Sequence, residues 1–281
     1  MIELGKTQKL IVVKKVDFGI YLGENKDATL EERILLPKSQ MPQGISVGDE
    51  LTVFVYKDSQ GRPIATVRTP LISIGEIARL RVSAVTKIGA FLDWGLEKEL
   101  LLPFKEQTYR VREGEEVLVA LYVDKTGRLC ATTKLYHYLG TTDAYVKDDW
   151  VEGTLYEISG NFGAFVAVDD KFQGLVPKKE FTQDIPAGSH VRARVVNVTQ
   201  EGKLTLSLKE KAYLQMSVDA DKVMKLIESY DGVLPFNDKA SPETIKRECE
   251  MSKNEFKRAV GNLLKAGRIE ITPTSIRLKE K

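Results

Sequence analysis

The segment NFGAFVAVDDKFQGLVP, residues 161–177, carries the pattern that decides the fold. A glycine stands in an apolar run, and a Leu-Val-Pro triplet follows after a short turn. Residues 17–37 and 87–103 repeat the pattern and end in Leu-Leu-Pro, and a further glycine lies 11 residues after each proline. The copies recur at a period of 70 to 74 residues. That period exceeds the repeat length of solenoid proteins and predicts three small domains that each fold independently.

Each copy contains five short runs in which apolar and polar residues alternate, as expected of half-buried strands. In the third copy the runs span residues 151–158, 163–168, 174–176, 190–198 and 203–208. Turn-forming residues separate the runs. Five strands in a domain of this size are best stabilised by closure into a Greek-key barrel, because open edges expose unpaired backbone groups. The sequence therefore predicts three five-stranded barrels of the oligonucleotide-binding (OB) fold.

The glycine in the second strand of each copy predicts a bend or a β-bulge in that strand, because a residue without Cβ suits the corner of a barrel wall. Such a bulge would bring Phe162 and Phe165 to one face of the third barrel. Aromatic residues in this position either fill the core or face solvent, and the pattern alone favours the core.

The third copy resembles the S-one RNA-binding domain in four segments, residues 153–158, 162–166, 173–177 and 200–207. The resemblance implies that the two aromatic residues around the glycine and the basic residue at the start of the last strand form an exposed RNA-binding patch. Carried over to the third copy, the patch consists of Phe162, Phe165 and Lys203. In the other copies, where Ile88 replaces one aromatic residue of the second, the corresponding residues are Phe18, Tyr21, Arg62, Phe91 and Arg128. Further candidate contacts on the fourth strand of the third copy are Arg192 and Arg194.

The copies depart from the S-one pattern in two ways. The RNA-facing histidine that is usual in the family is replaced by proline in every copy, at Pro37, Pro103 and Pro177. The aspartate before the last hairpin is present in the second copy as Asp124 and aligns with Asp58 in the first, whereas the third has Thr199 or Gln200 in its place. An extra acidic loop at residues 24–32 makes the first barrel a candidate for packing rather than RNA binding.

The last quarter of the chain changes its apolar spacing from two to 3.6 residues from Val218 onward, which indicates helices. The first predicted helix stops at Asp231-Gly232, and the second runs from Pro242 to about Cys249 behind the capping residue Ser241. The third begins with a capping box and carries an apolar stripe made of Phe256, Ala259, Val260, Leu263 and Leu264. Two short strands, residues 268–272 and 275–279, follow it. Three helices and a hairpin predict a winged helix-turn-helix.

The polar face of the third helix supplies a second set of candidate nucleic-acid contacts. A basic outer face on a helix in the recognition position can bind a nucleic-acid backbone. An ordinary solvated face has the same composition, and winged helices also serve as protein-docking modules. The candidate residues are Asn254, Lys257, Arg258 and Lys265.

Composition and motif searches point away from catalysis and from nonspecific charge binding. The chain has 42 basic and 40 acidic residues, so a polycation that coats nucleic acid is excluded. Phosphate loops, nucleophile elbows and metal-ligand clusters are absent from the sequence, and we expect a non-enzyme without cofactor or metal. Cys130 and Cys249 fall in different predicted domains, so no disulfide is suggested. The acid pairs 148–149 and 169–170 lie in predicted linkers or turns and are expected to be solvated.

The expected cellular setting follows from the same absence of signals. The sequence has no run of 18 apolar residues and no secretion signal at its start, so we expect a cytoplasmic protein that does not enter a membrane. We also expect a monomer, because no dimerisation helix is evident.

As a whole, the sequence predicts a mainly β, multi-domain chain that ends in an α+β winged-helix domain. The predicted bounds are 1–70, 71–140 and 150–212 for the barrels, 141–149 for a linker and 217–281 for the winged helix. This order of domains resembles the conserved virulence factor B family, also described as YitL-like RNA-binding proteins. The resemblance implies an RNA-binding protein of Gram-positive bacteria that affects the expression of other genes, with the third barrel and the winged helix as its contact surface.

Three hypotheses about function follow. The leading one is a non-catalytic protein that binds single-stranded RNA by base stacking and phosphate contacts, with the ribosome or RNA-processing machinery as a further partner. The second is a DNA-binding transcription regulator that uses the winged helix, which the near-neutral charge makes the less favoured. The third is a scaffold whose barrels bind other proteins.

Overall fold

A computed structural model describes residues 2–181, 184–209 and 212–279, and within the last range the side chains from residue 219 onward. The chain divides into two compact units, Met1–Leu208 and Lys209–Lys281. The first unit contains three five-stranded sheets, as the repeats predicted, and the second contains three helices and a small sheet. The predicted domain bounds stay predictions, and the two outermost, residues 1 and 281, lie outside the described residues.

The first sheet is a closed barrel with the strand order β1-β2-β3-β5-β4. Its strands are β1 (Thr7–Val16), β2 (Gly19–Gly23), β3 (Ile34–Pro37), β4 (Glu50–Lys57) and β5 (Pro63–Thr66). The second sheet contains β6 (Ile77–Val85), β7 (Gly89–Asp93), β8 (Leu100–Pro103), β9 (Glu116–Val123) and β10 (Leu129–Thr132), in the order β10-β9-β6-β7-β8. Its end strands β8 and β10 approach each other within 8 Å without forming a ladder, so this sheet is barrel-shaped but not closed by backbone hydrogen bonds.

The third sheet is again a closed barrel, with the order β11-β12-β13-β15-β14. Its strands are β11 (Trp150–Ser159), β12 (Gly163–Val168), β13 (Phe172–Pro177), β14 (His190–Val198) and β15 (Leu204–Ser207). Along β14 the alternation expected from the sequence is present, because Val191, Ala193 and Val195 are buried while Arg192 is exposed. Apolar side chains from all five strands fill the interior of the barrel.

The repeated glycine has a different role from the one expected. In the third barrel the bulge lies in the first strand, between Leu155 and Glu157, and not in the second. Gly163 instead begins β12 at φ 120°, where an added Cβ would lie 2.1 Å from the carbonyl oxygen of Val176. The second and third strands therefore approach each other too closely for a side chain. Gly19 and Gly89 make the same approach, at 2.2 and 2.3 Å.

The bulge turns Tyr156 away from its own barrel and toward the second sheet. Tyr156 is 2% exposed and packs in a cluster with Leu118, Leu135 and Leu139, and its carbonyl oxygen accepts a hydrogen bond from the Thr108 hydroxyl. The second and third sheets thus share a small apolar core of their own.

Carboxylates that were expected to be solvated have partners in the fold, and one of them, Asp170, joins the third barrel to the second sheet. The Arg79 guanidinium on β6 donates to both oxygens of Asp170, at 2.7 and 2.9 Å. Asp169 accepts a hydrogen bond from the Tyr145 hydroxyl, and Asp148 pairs with Arg194 at 2.8 Å. Asp169 is exposed, as expected of a solvated acid, whereas Asp148 and Asp170 are half-buried in ion pairs with arginines 46 and 91 positions away in the sequence.

The segment between the second and third sheets, residues 133–149, is a packed connector. The Gly140 amide donates to the Lys171 carbonyl at 2.8 Å, and the Thr142 amide donates to the Gly202 carbonyl at 2.9 Å. Leu139 is 4% exposed. Backbone hydrogen bonds of this kind hold residues 139–149 against the third barrel.

The second unit has the elements of a winged helix: α1 (Ala212–Ser229), β16 (Val233–Leu234), α2 (Pro242–Cys249), α3 (Lys253–Lys265), β17 (Ile269–Ile271) and β18 (Ile276–Leu278). As predicted, the Ser241 hydroxyl caps α2 and the Ser252/Glu255 capping box begins α3. Three details differ from the expectation. The first helix begins six residues before Val218, the short strand β16 adds to the hairpin, and Leu264 is 45% exposed and so lies outside the apolar stripe.

Candidate nucleic-acid interface

The third barrel carries an open cleft of about 420 Å³ on the outer face of β12, β13 and β15. Strand register places Phe165 opposite Leu175 and Leu175 opposite Thr205, so these three side chains share one face. Phe162 precedes β12 and is 63% exposed, and its carbonyl accepts a hydrogen bond from the Lys178 amide. Phe162, Phe165 and Lys203 all line the cleft, so the structure brings the three residues predicted for this copy together.

Three aromatic rings form the walls and floor of the cleft. The ring centroid of Phe165 lies 6.3 Å from that of Phe162 and 6.0 Å from that of Tyr136, with planes inclined by 61° and 82°. Phe165 also packs on the buried ring of Tyr156 at 6.2 Å. Phe165 is half-buried and forms the floor, while Phe162 and Tyr136 are the more exposed rings that contact it.

Tyr136 is a cleft residue that the sequence did not reveal. It belongs to the connector after the second sheet and is 39% exposed. No motif marks it, because its place beside Phe165 depends on how the connector folds back on the third barrel. The predicted bounds even assign Tyr136 to the second barrel, residues 71–140, whereas the last strand of that sheet ends at Thr132.

Lys203 lies at the Tyr136 end of the cleft. Its amine pairs with Glu201 at 2.6 Å and lies 6.0 Å from the centroid of the Tyr136 ring. Hydrogen bonds to Glu201 and to Tyr136 raise the pKa of Lys203, so the amine stays protonated at neutral pH. A cation beside three aromatic rings can contact a phosphate while bases stack on the rings.

The hairpin before the last strand distinguishes the third barrel from the other two. The amides of Asp58, Asp124 and Thr199 donate to the carbonyls of Arg62, Arg128 and Lys203, so these positions correspond. In the first two sheets the aspartate also pairs with the arginine side chain, at 2.7 and 2.8 Å. Thr199 carries no charge, and Lys203 pairs with Glu201 of the hairpin loop instead.

The second sheet has a smaller version of the cleft. A slot of about 160 Å³ is lined by Ile88, Phe91 and Arg128 together with Tyr56 and Lys57 of the first barrel. The Lys98 amine donates to the carbonyls of Lys57 and Asp58, at 3.2 and 2.7 Å. The first barrel thus covers part of the face on which Phe91 and Arg128 were predicted to bind.

The first barrel keeps its aromatic pair on the surface. Phe18 is 59% exposed and meets Tyr21 edge-on, with centroids 6.4 Å apart. Arg62, the third predicted residue of this copy, is held by Asp58.

Arg192 and Arg194 do not line the cleft of the third barrel. The Arg192 guanidinium lies 4.8 Å from the centroid of the Trp150 ring. The side chain of Arg194 is 13% exposed and pairs with Asp148. The structure therefore separates these two residues from Phe162, Phe165 and Lys203.

Comparison with known proteins agrees with this architecture. The model of the S1 (S-one) domain matches residues 4–68 and 74–134, and the model of the CvfB-like winged helix domain matches residues 221–278. The uncharacterized protein YitL of Bacillus subtilis is 32% identical over 275 residues, which cover 94% of this chain and 90% of YitL. Conserved virulence factor B of Staphylococcus aureus is 29% identical over 89% of this chain and 87% of its own length.

The chain belongs to the conserved virulence factor B family. A crystal structure from Streptococcus pneumoniae, titled a multidomain protein with nucleic acid binding domains, covers 98% of both chains at 25% identity and a TM-score of 0.50.

The family's winged-helix domain presents the second predicted surface on α3. Phe256, Ala259, Val260 and Leu263 are buried in its core, whereas the predicted residues lie on the opposite, exposed side. Those exposed residues are Asn254, Lys257, Arg258 and Lys265. The helix therefore brings them together on one polar face.

The part of the chain that the structure describes contains neither a candidate metal cluster nor a helix that could span a membrane. No group of three or more His, Cys, Asp or Glu residues in that part of the chain could hold a metal ion. No described helix is long and apolar enough to cross a membrane.

Proposed function

We propose that this member of the conserved virulence factor B family is a non-catalytic, monomeric, cytosolic protein that binds single-stranded RNA and affects gene expression after transcription. The observation that carries the proposal is the cleft of the third barrel, where Phe162 and Phe165 lie beside the protonated amine of Lys203. Bases stack on exposed rings with little dependence on sequence, and a lysine adds a phosphate contact. The matches to S1 domains, which lie in the first and second sheets, and the pneumococcal relative with nucleic acid binding domains support nucleic acid as the partner of the chain.

Cleft size favours the third barrel over the second. A cleft of about 420 Å³ lies within the range of ligand sites, whereas the slot of the second sheet, about 160 Å³, lies below it. Arg62 and Arg128 are held by aspartates that are only 16% and 12% exposed, whereas the partner of Lys203, Glu201, is 72% exposed, so its ion pair is the weaker one. We propose the polar face of α3 as a second contact surface, and the ribosome or an RNA-processing complex as the setting that supplies single strands.

The test is fluorescence anisotropy with a labelled single-stranded RNA of mixed sequence. We expect Phe162→Ala to weaken binding by about 1–3 kcal/mol, because one stacked base is lost. Phe18→Ala is the matched control, since Phe18 has similar exposure at the corresponding position of the first barrel and should leave affinity near that of the wild type. Both variants should keep the wild-type melting temperature because both rings are exposed.

Duplex DNA in the same buffer separates the rival functions. Tighter binding of duplex DNA, with Phe162→Ala unchanged, would favour a transcription regulator that uses the winged helix. Binding of neither nucleic acid at moderate salt would favour a protein-binding scaffold. Equal loss of affinity in Phe18→Ala and Phe162→Ala would contradict the assignment to the third barrel.

A further inference from the structure

Tyr136 stands in the third barrel's cleft although it lies outside the strands of that barrel. The side-chain amide of Gln173 on β13 donates hydrogen bonds to the backbone carbonyls of Tyr136 and Leu139, at 2.9 and 3.0 Å. The Gly140 amide adds a bond to the Lys171 carbonyl. The connector is thus held at Tyr136 itself and at the following residues Leu139 and Gly140, which gives Tyr136 a defined position.

Tyr136 is far more exposed than the apolar residues beside it on the connector. Leu135 and Leu139 on the same connector are 0% and 4% exposed, whereas Tyr136 between them keeps 39% of its surface in contact with solvent. Its contacts with the rings of Phe165 and His137 are both T-shaped, with no parallel stacking, and Tyr136 lines the cleft. A rigidly held aromatic face on the surface is the arrangement that single-strand binding proteins use for base stacking.

We propose that Tyr136 is a base-stacking residue and that the third barrel holds two bases, one on Phe162 and one on Tyr136. This inference rests on the proposed RNA-binding function. Phe162 and Tyr136 each contact Phe165, at centroid distances of 6.3 and 6.0 Å, and both line the cleft, so an RNA strand in the cleft can meet both rings. Lys203, 6.0 Å from the centroid of the Tyr136 ring, contacts the phosphate at that end.

With Tyr136 included, the binding site is built from two domains. The connector that carries Tyr136 leaves the second sheet and packs in the apolar cluster shared with Tyr156. The third barrel alone supplies one wall and the floor of the cleft, and the junction supplies the other wall. Docking of the second and third sheets therefore completes the RNA site.

The experiment uses the full-length chain and a fluorescein-labelled adenosine hexanucleotide RNA, with affinity measured by anisotropy. Tyr136→Phe keeps the ring and is expected to bind like the wild type. Tyr136→Leu keeps apolar bulk against Phe165 but has no aromatic face, and we expect it to bind roughly 5- to 150-fold more weakly. Thr141→Ala, at an exposed position of the same connector that does not line the cleft, is the control and should not change affinity.

A second readout reports stacking directly. Tyr136→Trp should keep affinity, and the fluorescence of the new indole should be quenched by RNA beyond any change that Trp94 and Trp150 show in the wild type. Wild-type affinity of Tyr136→Leu, or unquenched Tyr136→Trp with bound RNA, would overturn the proposal while Phe162→Ala still reports the RNA site. If the wild-type chain binds no RNA, the proposed function fails and this inference fails with it.

Discussion

Asp124 shows how one side chain fixes the hairpin that precedes the last strand of the second sheet. Its carboxylate accepts hydrogen bonds from the Thr126 and Arg128 amides and from the Arg128 guanidinium. Burial alone would raise the pKa of Asp124, but the hydrogen bonds from Thr126 and Arg128 outweigh it and hold the pKa well below its usual range. The carboxylate therefore stabilises the fold as long as it is ionised.

The stability that Asp124 adds should depend on pH. A carboxyl group with a lowered folded pKa stabilises above its unfolded pKa, near 4, and loses that effect as pH falls through the folded pKa. We expect Asp124→Asn to lower the free energy of unfolding by roughly 1–3 kcal/mol at pH 7, with a smaller deficit below about pH 4. Urea unfolding followed by the buried Trp94 measures this, with Glu113→Gln as the exposed control. A deficit that does not change with pH would contradict the assignment.

Some residues of the cleft were predictable from the sequence and others were not. Phe162, Phe165 and Lys203 could be found because the S-one pattern marks them within one repeat. Tyr136 could not, because it reaches the cleft through backbone hydrogen bonds between the connector and β13. The same pattern could not show that Arg194 is paired with Asp148, 46 residues away.

At the scale of elements, β12 depends on the glycine with which it begins. Gly163 has φ 120°, and an added Cβ would meet the carbonyl oxygen of Val176 at 2.1 Å. We expect Gly163→Ala to lower the free energy of unfolding by more than about 2 kcal/mol, from backbone strain and the displaced β13. Gly160→Ala is the matched control, because an added Cβ there has no atom within 4 Å. Thermal unfolding of the two variants compares them, and equal melting temperatures would show that the barrel tolerates a side chain at residue 163.

Strands and helices with a strong periodic pattern were predictable, whereas their irregularities were not. The alternation in β14 and the capping box of α3 are local signals, and both elements are present. The bulge at Tyr156 breaks the alternation of β11 because that ring packs against another domain. The strand β16 has two residues, which is too short for any periodic signal.

At the scale of the whole molecule, the first unit is held together by contacts between residues far apart in sequence. Arg79 and Asp170 are separated by 91 positions, and the Arg79 guanidinium also donates to the Thr154 hydroxyl at 2.6 Å. Three repeats in a row predict three barrels, but the repeats alone do not predict which faces meet. In the structure Tyr56 and Lys57 of the first barrel line the slot of the second sheet, and Tyr136 of the connector lines the cleft of the third barrel. Similar repeats thereby acquire different surfaces.

The balance of charge over the molecule predicts how RNA binding responds to salt. The chain has a net charge of +2, and the cleft of the third barrel is lined by the cation Lys203 and the anion Glu157. Stacking, which is insensitive to salt, should therefore supply most of the affinity. For single strands the slope of log K against log salt concentration is about −0.7 for each phosphate contacted, so one to three contacts predict a slope between about −0.7 and −2. Anisotropy titrations from low to moderate salt measure the slope, with Lys203→Ala expected to reduce its magnitude by about 0.7. A slope steeper than about −4 would show that the basic face of α3 or another charged surface dominates binding, and would place the cleft in a secondary role.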